Sequence, residues 1–230
     1  MVKKLEAGKL RLRIISALIL APCFIMIMYT GGVLFQSFLI VAFAFSLYEW
    51  YGLSSRTDRF LTYFSLGTAY MTMAYGSFYF LREFYNLNVL LIFIGMIWFS
   101  DIGAYFTGKT LGGPKLIQKI SPNKTWSGFG GALFFPALFA VIWISLFGFH
   151  EHFQKLGLLL LLPVGFMIGL AIGCVGQIGD LLVSYVKRRA NVKDTGALIP
   201  GHGGLLDRID SMMLGAPVFL FLISVLHYVL

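Results

Sequence analysis

The residues best suited to chemistry gather in one run, residues 176–210. It holds Asp180, Ser184, Lys187, Arg188, Lys193, Asp194, His202, Gly203, Gly204, Asp207, Arg208 and Asp210, and it has apolar sequence on both sides. Four of the ten carboxylates and five of the eighteen Lys/Arg fall inside it. Carboxylates, cations and glycines concentrated beside apolar segments suit a polyphosphate with its metal ions. If the preceding helix continues past Gly176, then Asp180, Ser184, Lys187 and Arg188 stand at i, i+4, i+7 and i+8. That spacing puts them on one face, with Leu182, Val183 and Val186 pointing elsewhere. The alternative is an interfacial helix whose basic run contacts anionic lipid heads, a role assigned to Arg189. Gly201-His-Gly-Gly204 lets backbone approach a ligand and aim N–H groups at phosphate, or is only a turn. His202, between glycines and acids, reads equally well as functional or structural. Asp207 and Asp210, at i and i+3 where a helix should start, can face one metal-filled cleft. Favourable placement of carboxylates at a helix N-terminus is the competing explanation.

A second polar segment, residues 101–128, carries Asp101, Ser121, Asn123, Lys124 and Thr125 together with Lys109, Lys115 and Lys119. Its lysines and its hydroxyl and amide groups suit phosphate oxygens. Ser121-Pro122 reads as the start of the next helix, where free N–H groups favour an anion. A basic loop on the cytoplasmic side is the plain alternative. An ionisable residue inside an apolar span is costly, so Asp101 is expected to face a polar cavity or a cation, beside the metal or in contact with substrate.

The elements that must position these groups are apolar. The chain has 230 residues, 58% hydrophobic and 12% charged, against about 25% charged in soluble domains. This implies an all-α, polytopic membrane protein forming one membrane-embedded domain over 1–230, with no room for a soluble domain. Seven spans are expected, at 14–29, 33–51, 60–81, 87–106, 128–149, 156–175 and 211–230, with an eighth short helix left open. Each is near the ~20 residues that cross ~30 Å of hydrocarbon. The basic N-terminus is read as an uncleaved first span, because no small-residue cleavage site follows. With the N-terminus in the cytoplasm, 16 of the 18 Lys/Arg fall on cytoplasmic segments and only Arg82 and Lys155 outside. That asymmetry supports the orientation and accounts for the net charge of +8 without nucleic acid. Cys23 and Cys174 lie in apolar stretches and indicate neither a disulfide nor zinc.

The 176–210 run resembles the signature of the phosphatidate cytidylyltransferases, or CDP-diacylglycerol synthases. That signature reads Ser-x-x-Lys-Arg, four spacers, Lys-Asp, then Pro-x-His-Gly-Gly-x-x-Asp-Arg-x-Asp. Ser184, Lys187, Arg188, Lys193, Asp194, Pro200, His202, Gly203, Gly204, Asp207, Arg208 and Asp210 all fall in register. The upstream segment is similar to the family's Asp-x-Gly-Ala-Tyr and Ser-Pro-x-Lys-Thr-x-Glu-Gly blocks. Val183 and Ser127 stand where many members carry Glu. The resemblance implies cytidylyl transfer from CTP to phosphatidic acid in the bilayer, giving CDP-diacylglycerol and pyrophosphate.

On that reading Asp180 and Asp207, supported by Asp210, hold Mg2+, with two ions plausible. Lys187, Arg188, Lys193 and Arg208 stabilise phosphates beside His202. Asp101, Ser121, Asn123, Lys124, Thr125, Ser184, Asp194, Gly203 and Gly204 contact substrate. The expected setting is a bacterial inner membrane with the site facing the cytoplasm, and a homodimer is left open. A CTP-dependent polyprenol or lipid kinase is the runner-up. A CDP-alcohol phosphotransferase lacks its Asp-Gly-x-x-Ala-Arg motif here. A transporter would distribute its charges near the bilayer midplane, whereas apart from Glu49 and Asp101 these cluster at loops and helix ends.

Overall fold

The apolar runs fold as helices. The computed structural model describes residues 22–149, 157–198 and 203–229. Residues 22–30 are helical (α1). After a turn at Gly31 and Gly32, with φ of 64° and 54°, come α2 (Gly32–Ser54) and α3 (Phe60–Phe80), which widens into a π turn, Leu81–Tyr85. Then follow α4 (Leu87–Leu111), strands β1 (Lys115–Ile117) and β2 (Ser121–Thr125), α5 (Trp126–Phe147), α6 (Gly157–Arg189) and α7 (Leu206–Val229).

Five helices among the described residues are long and apolar enough to cross a membrane: α2, α4, α5, α6 and Leu206–Tyr228 of α7. The protein is an all-α membrane protein, with the short β1–β2 hairpin as its strand pair among the described residues. Half of the expected first span, residues 14–21, and the expected 150–155 loop lie outside the described residues. The expected third span is a helix of 21 residues but is not among the five. Its hydroxyls lower its hydropathy, yet they are internally satisfied. Thr68 donates to Phe64 O at 2.7 Å, Thr72 to Thr68 O at 2.9 Å and Ser77 to Met73 O at 2.7 Å.

The chain divides into two compact units, residues 1–72 with 186–209 and residues 73–185 with 210–230. In the first, α2 packs on the start of α3. The Trp50 indole N–H donates to Tyr63 O at 2.9 Å, over Gly67, where a Cβ would collide with the indole. Tyr51 meets Phe60 and Phe64 edge-on. The end of α6 is closed by a Schellman motif. Val192 N–H donates to Lys187 O at 2.9 Å and Asn191 N–H to Arg188 O at 3.2 Å, with Asn191 left-handed at φ 55°. The chain therefore turns immediately after Lys187-Arg188-Arg189.

In the second unit, helices approach at small residues. A Cβ on Gly103 of α4 would lie 2.7 Å from Gly131 O of α5. Ser100 also donates across to Ala132 O at 2.9 Å. Gly165, Gly169 and Gly173 stand one turn apart on α6 and face Ile144, Ala137 with Pro136, and Ala132 of α5. Hydrocarbon tails are as apolar as side chains, so contact between helices in a bilayer relies on such close packing. Phe93 of α4 stacks on Phe219 of α7 at 5.3 Å. The hairpin pairs Lys115 with Thr125 and Ile117 with Ser121, and Trp126 N–H donates to Pro114 O at 3.1 Å. Ser121 therefore does not start α5, contrary to the Ser-Pro expectation. Thr125 caps that helix, accepting from Gly128 N–H at 3.1 Å.

Candidate active site

α6 continues as helix to Arg189, the condition on which the spacing of Asp180, Ser184, Lys187 and Arg188 predicts one face. At about 1.5 Å per residue its 33 residues span roughly 50 Å, well beyond the ~30 Å of hydrocarbon. Its charged end is the excess length.

In the second unit, β2 delivers Lys124 to α6. The Lys124 ammonium lies 2.7 Å from Asp180 Oδ2 and donates to Gln177 Oε1 at 2.8 Å. Ser184 donates to the other carboxylate oxygen, Asp180 Oδ1, at 3.1 Å. Gln177 is buried and its role was missed, because an amide in a glycine-containing apolar run carries no chemical signature of its own. Asp210 is also buried, and its Oδ1 accepts from Ser211 N–H at 2.8 Å. Thr125 uses its hydroxyl on the α5 cap and faces Ser127 Oγ at 3.0 Å. Ser127 in turn donates to Gly112 O, tying the start of α5 to the end of α4. Asp101 is exposed on α4, Asn123 is exposed and Ser121 half-buried in β2. Val183 is 2% exposed, so the Val in place of Glu fills an apolar position.

In the first unit, Asp207 sits in the first turn of α7 and gathers four hydrogen bonds. The Lys187 ammonium donates to Oδ1 at 2.8 Å. Oδ2 accepts from Thr195 N–H at 2.8 Å, the Thr195 hydroxyl at 3.1 Å and Gly204 N–H at 3.1 Å. Lys187 is a buried lysine, whereas Arg188 is exposed and donates to Val192 O at 3.1 Å. Gly203 takes the expected positive φ, 86°, and a Cβ there would lie 3.0 Å from Asp207 Oδ2. Lys193, Asp194 and Arg208 are exposed. His202 lies outside the described residues.

The sequence also missed Glu49. Only 5% exposed, it accepts from Leu205 N–H at 2.9 Å, Leu206 N–H at 3.0 Å and the Thr195 hydroxyl at 3.1 Å. It lines a cavity of about 750 Å³ with Tyr48, Arg56, Asp194, Thr195 and Leu198.

Among the described residues no three of His, Cys, Asp and Glu gather as a ready-made metal cage. Magnesium does not need one, since it usually takes one or two carboxylates and completes its octahedron with water and substrate phosphate. Asp180 and Asp207 fit that use, each held by hydrogen bonds and beside a lysine that can pair with phosphate instead.

Residues 57–226 match the Cytidylyltransferase family. The chain is 34% identical over 225 residues to the phosphatidate cytidylyltransferase of Rickettsia bellii, covering 96% of this chain and 94% of that one. The Rickettsia felis protein of the same name is 37% identical over 217 residues, covering 94% and 92%. That of Bacillus subtilis is 38% identical over 168 residues, 70% of this chain and 58% of the relative. The matched region takes in both lysine–carboxylate pairs, and with them the chain belongs to the Cytidylyltransferase family.

Proposed function

We propose that this protein transfers a cytidylyl group from CTP to phosphatidic acid, forming CDP-diacylglycerol and releasing pyrophosphate. The observation that carries the reading is the likeness, over 96% of the chain, to a protein named phosphatidate cytidylyltransferase. An oxygen of the lipid phosphate attacks the α-phosphorus of CTP, and the bond between that phosphorus and the β-phosphate bridging oxygen breaks. A phosphate monoester with a second pKa of about 6 is already largely anionic near neutral pH, so no strong general base is needed. The barrier is instead the approach of two polyanions.

Lys124 and Lys187 meet that need first, each fixed by its carboxylate at 2.7 and 2.8 Å. Arg188, Lys193 and Arg208 add exposed cations, and His202 and Asp194 complete the signature. Asp180 and Asp207, with Asp210, would hold magnesium, which when bound supplies charge neutralisation and polarises phosphoryl oxygens. Ser184 fixes Asp180. Asp101, Ser121, Asn123, Thr125, Gly203 and Gly204 are assigned to substrate on the family pattern.

The same reading places the N-terminus and both polar segments on the cytoplasmic face of a bacterial inner membrane. Seven spans in one functional domain would do this, supported by the Lys/Arg asymmetry and by a family match that runs through both compact units.

Purified protein in mixed micelles with phosphatidic acid and labelled CTP tests the reading. Label from the α-phosphate should enter lipid, EDTA should stop the reaction, and magnesium should restore it. Entry of γ-label alone would indicate a lipid kinase. Solute flux in vesicles without nucleotide turnover would indicate a transporter.

A further inference from the structure

We infer that Glu49 is a positioning residue for this reaction, holding Thr195 and the start of α7 so that Asp207 stays aimed at Lys187. The activity arm of the inference rests on the proposed cytidylyl transfer. The structural arm does not.

A carboxylate 5% exposed in an apolar helix is costly unless hydrogen bonds satisfy it. Glu49 meets that condition with groups distant in sequence. The first N–H groups of a helix have no partner within it, and an anion there is favoured by the helix dipole. At α7 that anion is supplied from α2. Glu49 Oε1 accepts from Leu205 N–H at 2.9 Å and Oε2 from Leu206 N–H at 3.0 Å. Backbone closes on the carboxylate from two sides. A Cβ on Gly196 would lie 2.7 Å from Oε1, as would one on Gly204.

A helix cap alone accounts for those two bonds. It does not account for Thr195, whose hydroxyl stands 3.1 Å from Glu49 Oε2 and 3.1 Å from Asp207 Oδ2. A hydroxyl has one proton for these two acceptors. It serves one carboxylate at a time, which couples the two orientations. The Thr195 N–H meanwhile holds Asp207 at 2.8 Å. The connection runs Glu49, Thr195, Asp207, Lys187, and Glu49 is the buried anchor of it.

The test uses the full chain in detergent and the variants Glu49→Gln, Glu49→Asp, Thr195→Val and Thr195→Ser. It measures kcat, KM for CTP and phosphatidate, melting temperature, and amide hydrogen exchange. Misplacing a reacting group by even an ångström is expensive. Glu49→Gln and Thr195→Val should therefore lower kcat at least about tenfold, with both KM values within about threefold. Exchange should rise across 194–198 and 203–207 while peptides from α4 and α5 exchange as in the wild type. Thr195→Ser, which keeps the hydroxyl, should restore kcat, and Glu49→Asp should restore it in part. Glu49→Gln with wild-type kcat per folded molecule and exchange raised throughout would reduce Glu49 to a helix cap and overturn the inference. Should Glu49→Gln not fold, Thr195→Val decides, because it keeps both backbone bonds to Glu49. Wild-type kcat in that variant overturns the inference. If the wild type makes no CDP-diacylglycerol, the proposed function fails, while the exchange data still report whether Glu49 holds Thr195 and the start of α7.

Discussion

Replacing Asp207 with Asn keeps the shape of the side chain and changes only what its two terminal atoms can do. The carboxylate now accepts from Lys187 on one oxygen and from Thr195 and Gly204 on the other. An amide has one oxygen and one NH2. With the oxygen toward Thr195 and Gly204, the NH2 opposes the Lys187 ammonium, stranding a cation whose side chain is 9% exposed. Removing one partner of such a buried pair costs about 3–5 kcal/mol. With the oxygen toward Lys187, the Thr195 and Gly204 N–H groups lose their acceptor, at about 1–3 kcal/mol each. Either arrangement costs about 3 kcal/mol, a fall of roughly 6–12 °C in melting temperature for a chain of this length.

The informative step is to add Lys187→Met. Removing the stranded cation should recover most of the melting temperature, because an apolar replacement of a buried pair is often close to neutral. It should recover no turnover, since the cation assigned to phosphate and the carboxylate assigned to magnesium are then both gone. Melting followed by tryptophan fluorescence in detergent, with initial rates of lipid labelling from CTP, reads both quantities. Turnover of the single and double variants should fall by at least about a hundredfold, while Arg189→Ala, at an exposed position, stays near wild type. Asp207→Asn with wild-type turnover, or a double variant that regains it, would refute the assignment.

Lys124→Ala removes the partner of Asp180 at 2.7 Å and of Gln177 at 2.8 Å. Turnover should fall by about tenfold or more, with a smaller loss of stability than at Asp207 because the pair is more exposed; rate and melting temperature check both parts. Gly131→Leu should destabilise by about 1–3 kcal/mol, since a Cβ there already meets Thr107 and would lie 2.6 Å from Gly103 O. Melting temperature measures it, and wild-type stability would show that α4 and α5 can separate freely.

The apolar runs and the charged continuation of α6 were legible because periodicity and length are local properties. The signature residues were legible because their types and order are. Other parts depend on residues far apart in the chain. Glu49 stands alone in an apolar run, and its partner Leu206 lies 157 positions away, so no local pattern marks it. Gln177 acquires meaning only when β2 brings Lys124 to it. Ser121-Pro122 has the composition of a helix start, but strand pairing to Ile117 claims Ser121 and leaves the cap to Thr125. α3 shows the reverse case. Its length was legible, while its hydroxyls, satisfied within the helix, reduce the apolarity that hydropathy counts.

The glycine stripe of α6 works like a keyway. At Gly169 and Gly173 the helix meets α5 backbone against backbone, with Pro136 O 2.7 Å from where a Gly169 Cβ would stand. Long side chains at such a seam could flex and absorb a sliding motion, but bare backbone cannot. The permitted settings of α6 along α5 are therefore discrete, and a one-turn slip would carry Asp180 about 5.4 Å. That is far enough to break a 2.7 Å contact with Lys124. Residues with no functional group thus set the working distance of two that have one.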